Sequence, residues 1–112
     1  MTRLLLPTAA AVAAILLAAG CGGTGNSMPV AIDQVTMVKS YRFSPDVVKI
    51  KAGETVTWTN RDNFTHTVRV DGQADHKVGR GDSVSITFPK PGRYHYECTL
   101  HSHDMQGTVI VT

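Results

Sequence analysis

The stretch "VVKIKAGETVTWTN", residues 47–60, decides the fold class, because its apolar residues recur with a period of two. Val48 and Ile50 fall on one side of the chain before the turn-forming "KAGE", and Val56 and Trp58 fall on the same side after it. Strict alternation of apolar and polar residues is typical of β-strands that bury one face. The stretch therefore predicts two strands joined by a short turn.

The same period continues along the rest of the chain, with Gly, Pro, Asn and Asp between the runs and no stretch that keeps a period of 3.6. The last run, "GTVIVT", is expected to form a hairpin with the strand that ends at Cys98. About seven to eight strands at this spacing predict an all-β, Greek-key sandwich over residues 30–112. The further inward positions are Val35, Met37, Tyr41, Phe43, His66, Val68, Val70, Val84, Ile86, Phe88, Tyr94, Tyr96 and Cys98.

The first 20 residues have the pattern of an export signal: a basic residue, an apolar run and then small residues. The run is shorter than the roughly 20 apolar residues that span a bilayer. The following "LAAGC" resembles the lipobox of bacterial lipoproteins, which implies cleavage before Cys21 and a lipid on its thiol. Because Ala18 stands where a larger aliphatic residue is commoner, cleavage without lipidation is the alternative.

The two cysteines of the chain are expected to have separate roles. A disulfide is the first alternative for an exported protein. However, Cys21 opens the Gly- and Ser-rich segment 21–29, which reads as a flexible tether, and an acylated thiol cannot pair. Cys98 is then a lone thiol in an oxidising compartment, where a bound metal would protect it.

The stretch "YHYECTLHSHDMQG", residues 94–107, combines a cysteine, three histidines and a methionine. Cys98 and Met105 bracket a predicted loop, so their side chains are expected to converge. A second imidazole is expected from His66, which opens a strand with its side chain inward. Thiolate, imidazole and thioether ligands together suit copper in a trigonal site with a weak axial methionine.

The sequence resembles the cupredoxins, in particular the plastocyanin and amicyanin-like group. The resemblance covers nearly all of residues 30–112 and rests on four motifs. They are "F-x-P" at Phe43 to Pro45, "V-x-I-x-A-G-E-T-V-T-W-T-N" from Val48 to Asn60, "H-T-V" from His66, and "G-x-Y-x-Y-x-C-x-x-H-x-x-x-M-x-G" from Gly92 to Gly107.

The resemblance implies that His66, Cys98, His101 and Met105 bind one copper ion per chain. It implies a type 1 copper protein that carries single electrons, is not an enzyme, and exchanges electrons near the edge of the loop histidine. His103 is the other candidate for that histidine. The separation of four residues from His101 to Met105 is known in the family, whereas two residues from His103 would be unusually short, so His103 is expected to be a solvated neighbour.

Two residues depart from better-known members of the family. Thr67 stands where plastocyanins have an asparagine that steadies the site, so hydrogen bonding near the thiolate is expected to differ, and such changes shift the reduction potential. Leu100 stands where a proline is common before the loop histidine, which removes a fixed φ. Asp62 and Asn63 are expected to shape the turn before His66.

Several functions are disfavoured by composition. The formal net charge is +2 with acids and bases interspersed, and there is no basic stripe or aromatic platform for nucleic acid. A copper enzyme would need further histidines and domains. The interpretation is an exported, lipid-anchored, monomeric electron carrier at the outer face of the cytoplasmic membrane or in the periplasm. It would make transient contacts with a cytochrome, dehydrogenase or oxidase. Copper storage or delivery with the same ligands is the alternative.

Overall fold

The computed structural model describes residues 27–101 and 104–112, which form nine β-strands. The predictions for the leader, for Cys21 with most of the tether, and for His103 concern residues outside these ranges. The strands are β1 (Gln34–Val38), β2 (Arg42–Ser44), β3 (Val47–Ile50), β4 (Thr55–Asn60), β5 (His66–Val70), β6 (His76–Val78), β7 (Ser83–Thr87), β8 (Gly92–Glu97) and β9 (Gln106–Val111).

The strands form two mixed sheets, with the orders β2-β1-β4-β7 and β3-β9-β8-β5-β6. The predicted all-β sandwich is therefore confirmed, with nine strands in the described ranges where seven to eight were predicted. One added strand arises because the predicted inward positions from Val35 to Phe43 lie on the two strands of a hairpin, β1 and β2. Ser40 and Tyr41 have φ values of 76° and 58°, and Met37 pairs with Phe43 across the turn. The other is β6, a three-residue edge strand in the polar stretch "DGQADHKVGRGD", residues 71–82.

The core lies between the two sheets and contains nearly all the predicted inward positions. Val84, Tyr94 and Tyr41 are only partly buried and pack against its rim. The fully buried aromatic rings are Trp58, Phe88 and Tyr96. Because Tyr96 meets Phe43 and Trp58 edge-on at centroid distances of 4.8 and 5.1 Å, it ties the two sheets together.

The order of the five-stranded sheet sets the position of the chemistry. β8 is antiparallel to β9 along its whole length, which confirms the predicted hairpin, and β5 pairs with β8 on the other side. The start of β5, the end of β8 and the start of β9 consequently lie at one end of the sandwich. Within the described ranges, no helix has the length and hydropathy needed to cross a bilayer.

Candidate metal centre

Three neighbouring strands bring the predicted ligands to one end of the sandwich. His66 is the first residue of β5, and Cys98 directly follows β8. His101 lies in the loop after Cys98, and Met105 directly precedes β9. His66, Cys98 and Met105 are fully buried, whereas His101 is partly exposed.

The donor atoms of three of these residues are close enough to share one ion. Cys98 Sγ lies 3.7 Å from His66 Nδ1 and 3.7 Å from His101 Nδ1. One donor atom from each of the three residues lies within 4.8 Å of the other two. A divalent transition metal bonded to sulfur at about 2.3 Å and to nitrogen at about 2.0 Å, with about 120° between the bonds, separates the two donors by about 3.7 Å. The arrangement fits a trigonal site of one thiolate and two imidazoles, a soft set that suits copper.

Main-chain hydrogen bonds close the loop around the site. The Met105 carbonyl accepts from the Cys98 N–H at 3.0 Å, and the His101 N–H donates to the Cys98 carbonyl at 3.0 Å. The His101 carbonyl in turn accepts from the Met105 N–H at 2.9 Å. Because each of the three residues is bonded to the other two through the backbone, their spacing is set by the loop itself.

A buried carboxylate orients the His66 ring. Asp62 Oδ2 lies 2.8 Å from His66 Nε2, so the neutral ring carries its proton on Nε2 and presents the lone pair of Nδ1 to the sulfur. Burial of Asp62 opposes its ionisation. The hydrogen bonds from His66 and from the Asn63 N–H, with the electrostatic attraction of the two imidazoles, His66 and His101, outweigh this effect and hold the pKa of Asp62 below its ordinary value.

The turn that carries Asp62 is built around the buried side chain of Asn60. Asn60 Oδ1 accepts from the Asp62 N–H at 2.8 Å, and its Nδ2 donates to the carbonyls of Phe64 and Val78. Asp62 Oδ1 accepts from the Asn63 N–H at 2.7 Å. Asp62 therefore shapes the turn, as its sequence position indicated, and also bonds the candidate ligand four residues later.

An aromatic ring stacks on the loop histidine. The Tyr41 ring stacks on the His101 ring with a centroid distance of 4.4 Å and an angle of 29° between the planes. Phe64 lies against Tyr41 at 5.8 Å and is 55% exposed, and Leu100 is 58% exposed. Tyr41, the Phe64 ring packed against it and the neighbouring Leu100 thus provide apolar surface near His101.

A match to a protein-family model over most of the chain identifies the family. A family model described as a cupredoxin-like domain matches residues 8–111. The chain belongs to the cupredoxin family. Among curated proteins, this cupredoxin is 35% identical over 102 residues to amicyanin-alpha of Methylorubrum extorquens, covering 85% of this chain and 84% of that protein. It is 36% identical over 83 residues to plastocyanin of Scenedesmus fuscus, covering 62% of this chain and 85% of that protein.

Solved structures support the same assignment. A purple cupredoxin from Nitrosopumilus maritimus superimposes with a TM-score of 0.65 at 25% identity, covering 72% of this chain and all of that one. The Cu(I) form of an amicyanin variant superimposes with a TM-score of 0.63 at 33% identity, covering 74% of this chain and 86% of that one.

Sequence reasoning anticipated which donors of this cupredoxin come together but not what surrounds them. The described structure brings together the donor atoms of His66, Cys98 and His101. Met105, at the end of the same loop as Cys98 and His101, is fully buried. The bond from Asp62 to His66 was missed, although an acid four residues before a candidate ligand is a usable signal. The contact of Tyr41 with His101 has no local signal, because the two residues lie far apart in the chain.

Proposed function

We propose that this cupredoxin carries single electrons by means of one copper ion held by His66, Cys98, His101 and Met105. The observation that carries the proposal is the buried Cys98 sulfur, 3.7 Å from the Nδ1 atoms of two histidines. Copper supplies a reversible one-electron couple when bound. The amicyanin and plastocyanin relatives support this reading, and none of them carries the name of an enzyme.

The ligand residues are held in place, as a carrier requires. His66 is held by the hydrogen bonding of strand β5 and by the bond to Asp62. The main-chain hydrogen bonds of the loop keep Cys98 and Met105 at a constant separation. A site that is held by surrounding packing and hydrogen bonds moves little when its charge changes. Fast electron exchange at low energetic cost follows from that rigidity.

Electrons would enter and leave past His101, the only one of the four proposed ligands that is partly exposed. The apolar surface of Phe64 and Leu100 beside it suits brief contact with a redox protein such as a cytochrome, a dehydrogenase or an oxidase. Such encounters bury less than about 1,200 Å². The protein would act as a monomer and would not bind nucleic acid.

We further propose that the protein is exported and tethered by a lipid on Cys21, at the outer face of the cytoplasmic membrane or in the periplasm. Mass spectrometry of the mature protein tests this proposal. A chain that begins at Cys21 with the added mass of a lipid supports it, and Cys21→Ala should then move the protein from the membrane to the soluble fraction. Cleavage elsewhere without added mass overturns the lipid anchor.

The decisive experiment is the visible absorption and electron spin resonance of the purified protein with Cu(II), compared with Cys98→Ala and with Cys21→Ala as the matched control. An intense thiolate-to-copper band with narrow copper hyperfine splitting, lost in Cys98→Ala and kept in Cys21→Ala, supports the proposal. A pale tetragonal spectrum overturns it. Loss of copper to an acceptor during repeated oxidation and reduction favours copper delivery, and stoichiometric retention favours the carrier.

Electron self-exchange between two copies tests the apolar surface. Leu100→Asp places a charge beside His101 on both partners, and like charges that face each other at a contact are unfavourable. We expect the self-exchange rate to fall about tenfold or more, since tenfold corresponds to about 1.4 kcal/mol. Ile32→Asp, at another exposed apolar residue, is the control. Equal rates in the two variants would exclude this surface as the port.

A further inference from the structure

A chain of hydrogen bonds links an exposed carboxylate to the Cys98 sulfur. Asp75 Oδ2 lies 2.8 Å from the Thr99 hydroxyl, and the Thr99 hydroxyl lies 2.8 Å from the Thr67 hydroxyl. The Thr99 N–H donates to the Thr67 hydroxyl at 2.7 Å. The Thr67 N–H approaches Cys98 Sγ at 3.4 Å.

The carboxylate fixes the direction of every bond in this chain. A hydroxyl has one hydrogen to donate, and an ionised carboxylate only accepts. The Thr99 hydroxyl therefore gives its hydrogen to Asp75 and accepts from the Thr67 hydroxyl. The Thr67 oxygen then accepts from the Thr99 N–H. With its hydroxyl hydrogen committed in this way, Thr67 offers the sulfur only its N–H.

The two threonines hold the backbone immediately after two candidate ligands. Thr67 follows His66 at the start of β5, and Thr99 follows Cys98 beyond the end of β8. β5 and β8 are antiparallel, with Arg69 opposite Glu97, so the same register places residue 67 opposite residue 99. The hydroxyl pair thus joins the two strands where their regular ladder ends.

Asp75 reaches this pair from a third segment. It lies in the turn between β5 and β6 and directly precedes β6, which pairs with β5. Thr67 is almost completely buried, whereas Asp75 is exposed. One surface carboxylate can therefore bias a buried hydrogen-bond network, because networks of this kind respond as a unit.

We propose that Asp75 is a positioning residue which, through Thr99 and Thr67, sets the hydrogen bond to the Cys98 sulfur and thereby the reduction potential. The proposal rests on the proposed copper function. The hydrogen bond of Asp75 goes to the Thr99 hydroxyl and not to a ligand atom. Its effect is carried by the orientation of the Thr67 and Thr99 backbone, since partners of the ligand shell tune a metal site.

The experiment compares Asp75→Ala with Asp75→Asn and with Asp33→Ala. The amide oxygen of asparagine still accepts from the Thr99 hydroxyl, so the two Asp75 variants lose the same charge and differ in the acceptor. Asp33→Ala removes the same charge from an exposed carboxylate whose hydrogen bond goes to neighbouring Gln34.

The first readout uses the metal-free protein. Hydrogen exchange at the Thr99 N–H should be about two- to tenfold faster in Asp75→Ala than in wild type, which is the range that loss of one net hydrogen bond predicts. Asp75→Asn should keep most of the protection, and Asp33→Ala should keep all of it. Equal exchange in Asp75→Ala and Asp33→Ala would overturn the proposal.

The second readout is the potential of the copper-loaded protein. A loosened Thr67 N–H leaves the thiolate a stronger donor, which favours Cu(II), so Asp75→Ala should have a lower potential than Asp75→Asn. Equal potentials would refute the effect on the site even if exchange differed. Failure of the copper function itself appears separately, as the absence of a thiolate band in wild type, and leaves the exchange comparison intact.

Discussion

Replacing Gly107 with alanine should destabilise the protein far more than its position at a strand end suggests. Gly107 is the second residue of β9. A Cβ atom there would lie closer than 3.0 Å to the Tyr96 ring carbon Cζ, the Tyr96 hydroxyl oxygen and the Asp46 carbonyl oxygen. Tyr96 is fully buried and Asp46 contributes backbone, so no neighbouring group is free to move aside.

The cost follows from what must shift. Moving the Tyr96 ring disturbs a tightly packed core, which costs about 1–3 kcal/mol. It also breaks the 3.0 Å bond from the Tyr96 hydroxyl to the Asp46 carbonyl. The abandoned donor stays buried, which costs about 1–3 kcal/mol more. The Asp46 carbonyl oxygen keeps its hydrogen bond from the Thr108 N–H at 2.8 Å, so it adds nothing to the free-energy cost. The total is about 2–6 kcal/mol, a large share of the roughly 5–15 kcal/mol that keeps such proteins folded.

Thermal unfolding of the metal-free protein, followed by the fluorescence of its single tryptophan, Trp58, measures this cost. Gly79→Ala is the matched control: a Cβ there also meets an oxygen, at 2.9 Å, but it belongs to the exposed side chain of Asp82, which can rotate away. The melting temperature of Gly107→Ala should fall by about 8 °C or more, at about 4–8 °C per kcal/mol. A loss no greater than that of Gly79→Ala would refute the packing argument.

Three further predictions concern other parts of the protein. The hydrogen bond to Asp71 raises the pKa of His95. The stability that this pair contributes should therefore be fully present below about pH 6.5 and be lost as pH rises through the folded pKa. His95→Gln should flatten this pH dependence in urea titrations, by less than about 1 kcal/mol because the pair is exposed to solvent. Tyr41→Ala removes the ring stacked on His101 and should broaden the copper hyperfine lines, whereas an unchanged spectrum would show that the loop alone holds the ring. His103→Ala should keep the copper absorption band, and its loss would reassign the loop ligand.

Local pattern was sufficient for much of this fold because side-chain alternation is a property of the chain itself. Val48, Ile50, Val56 and Trp58 are buried as their spacing predicted. The hairpin at Ser40 has no such local signal, because two successive non-glycine residues take positive φ values there. That conformation is uncommon for such residues and is set by packing and not by composition.

In the candidate site, too, some features follow from local sequence and others only from tertiary packing. The sequence by itself determined the donors that share a loop, since Cys98 and His101 are three residues apart and their spacing is local. It also indicated His66 as the second imidazole, because His66 opens a strand with its side chain inward. Only the tertiary structure decided that Asp62 bonds His66, that Tyr41 stacks on His101, and that a carboxylate is linked to the sulfur through two hydroxyls. The physical reason is strand order: β5, β8 and the turn before β6 become neighbours only when the sheet assembles, and no periodicity along the chain records which strand edges will meet.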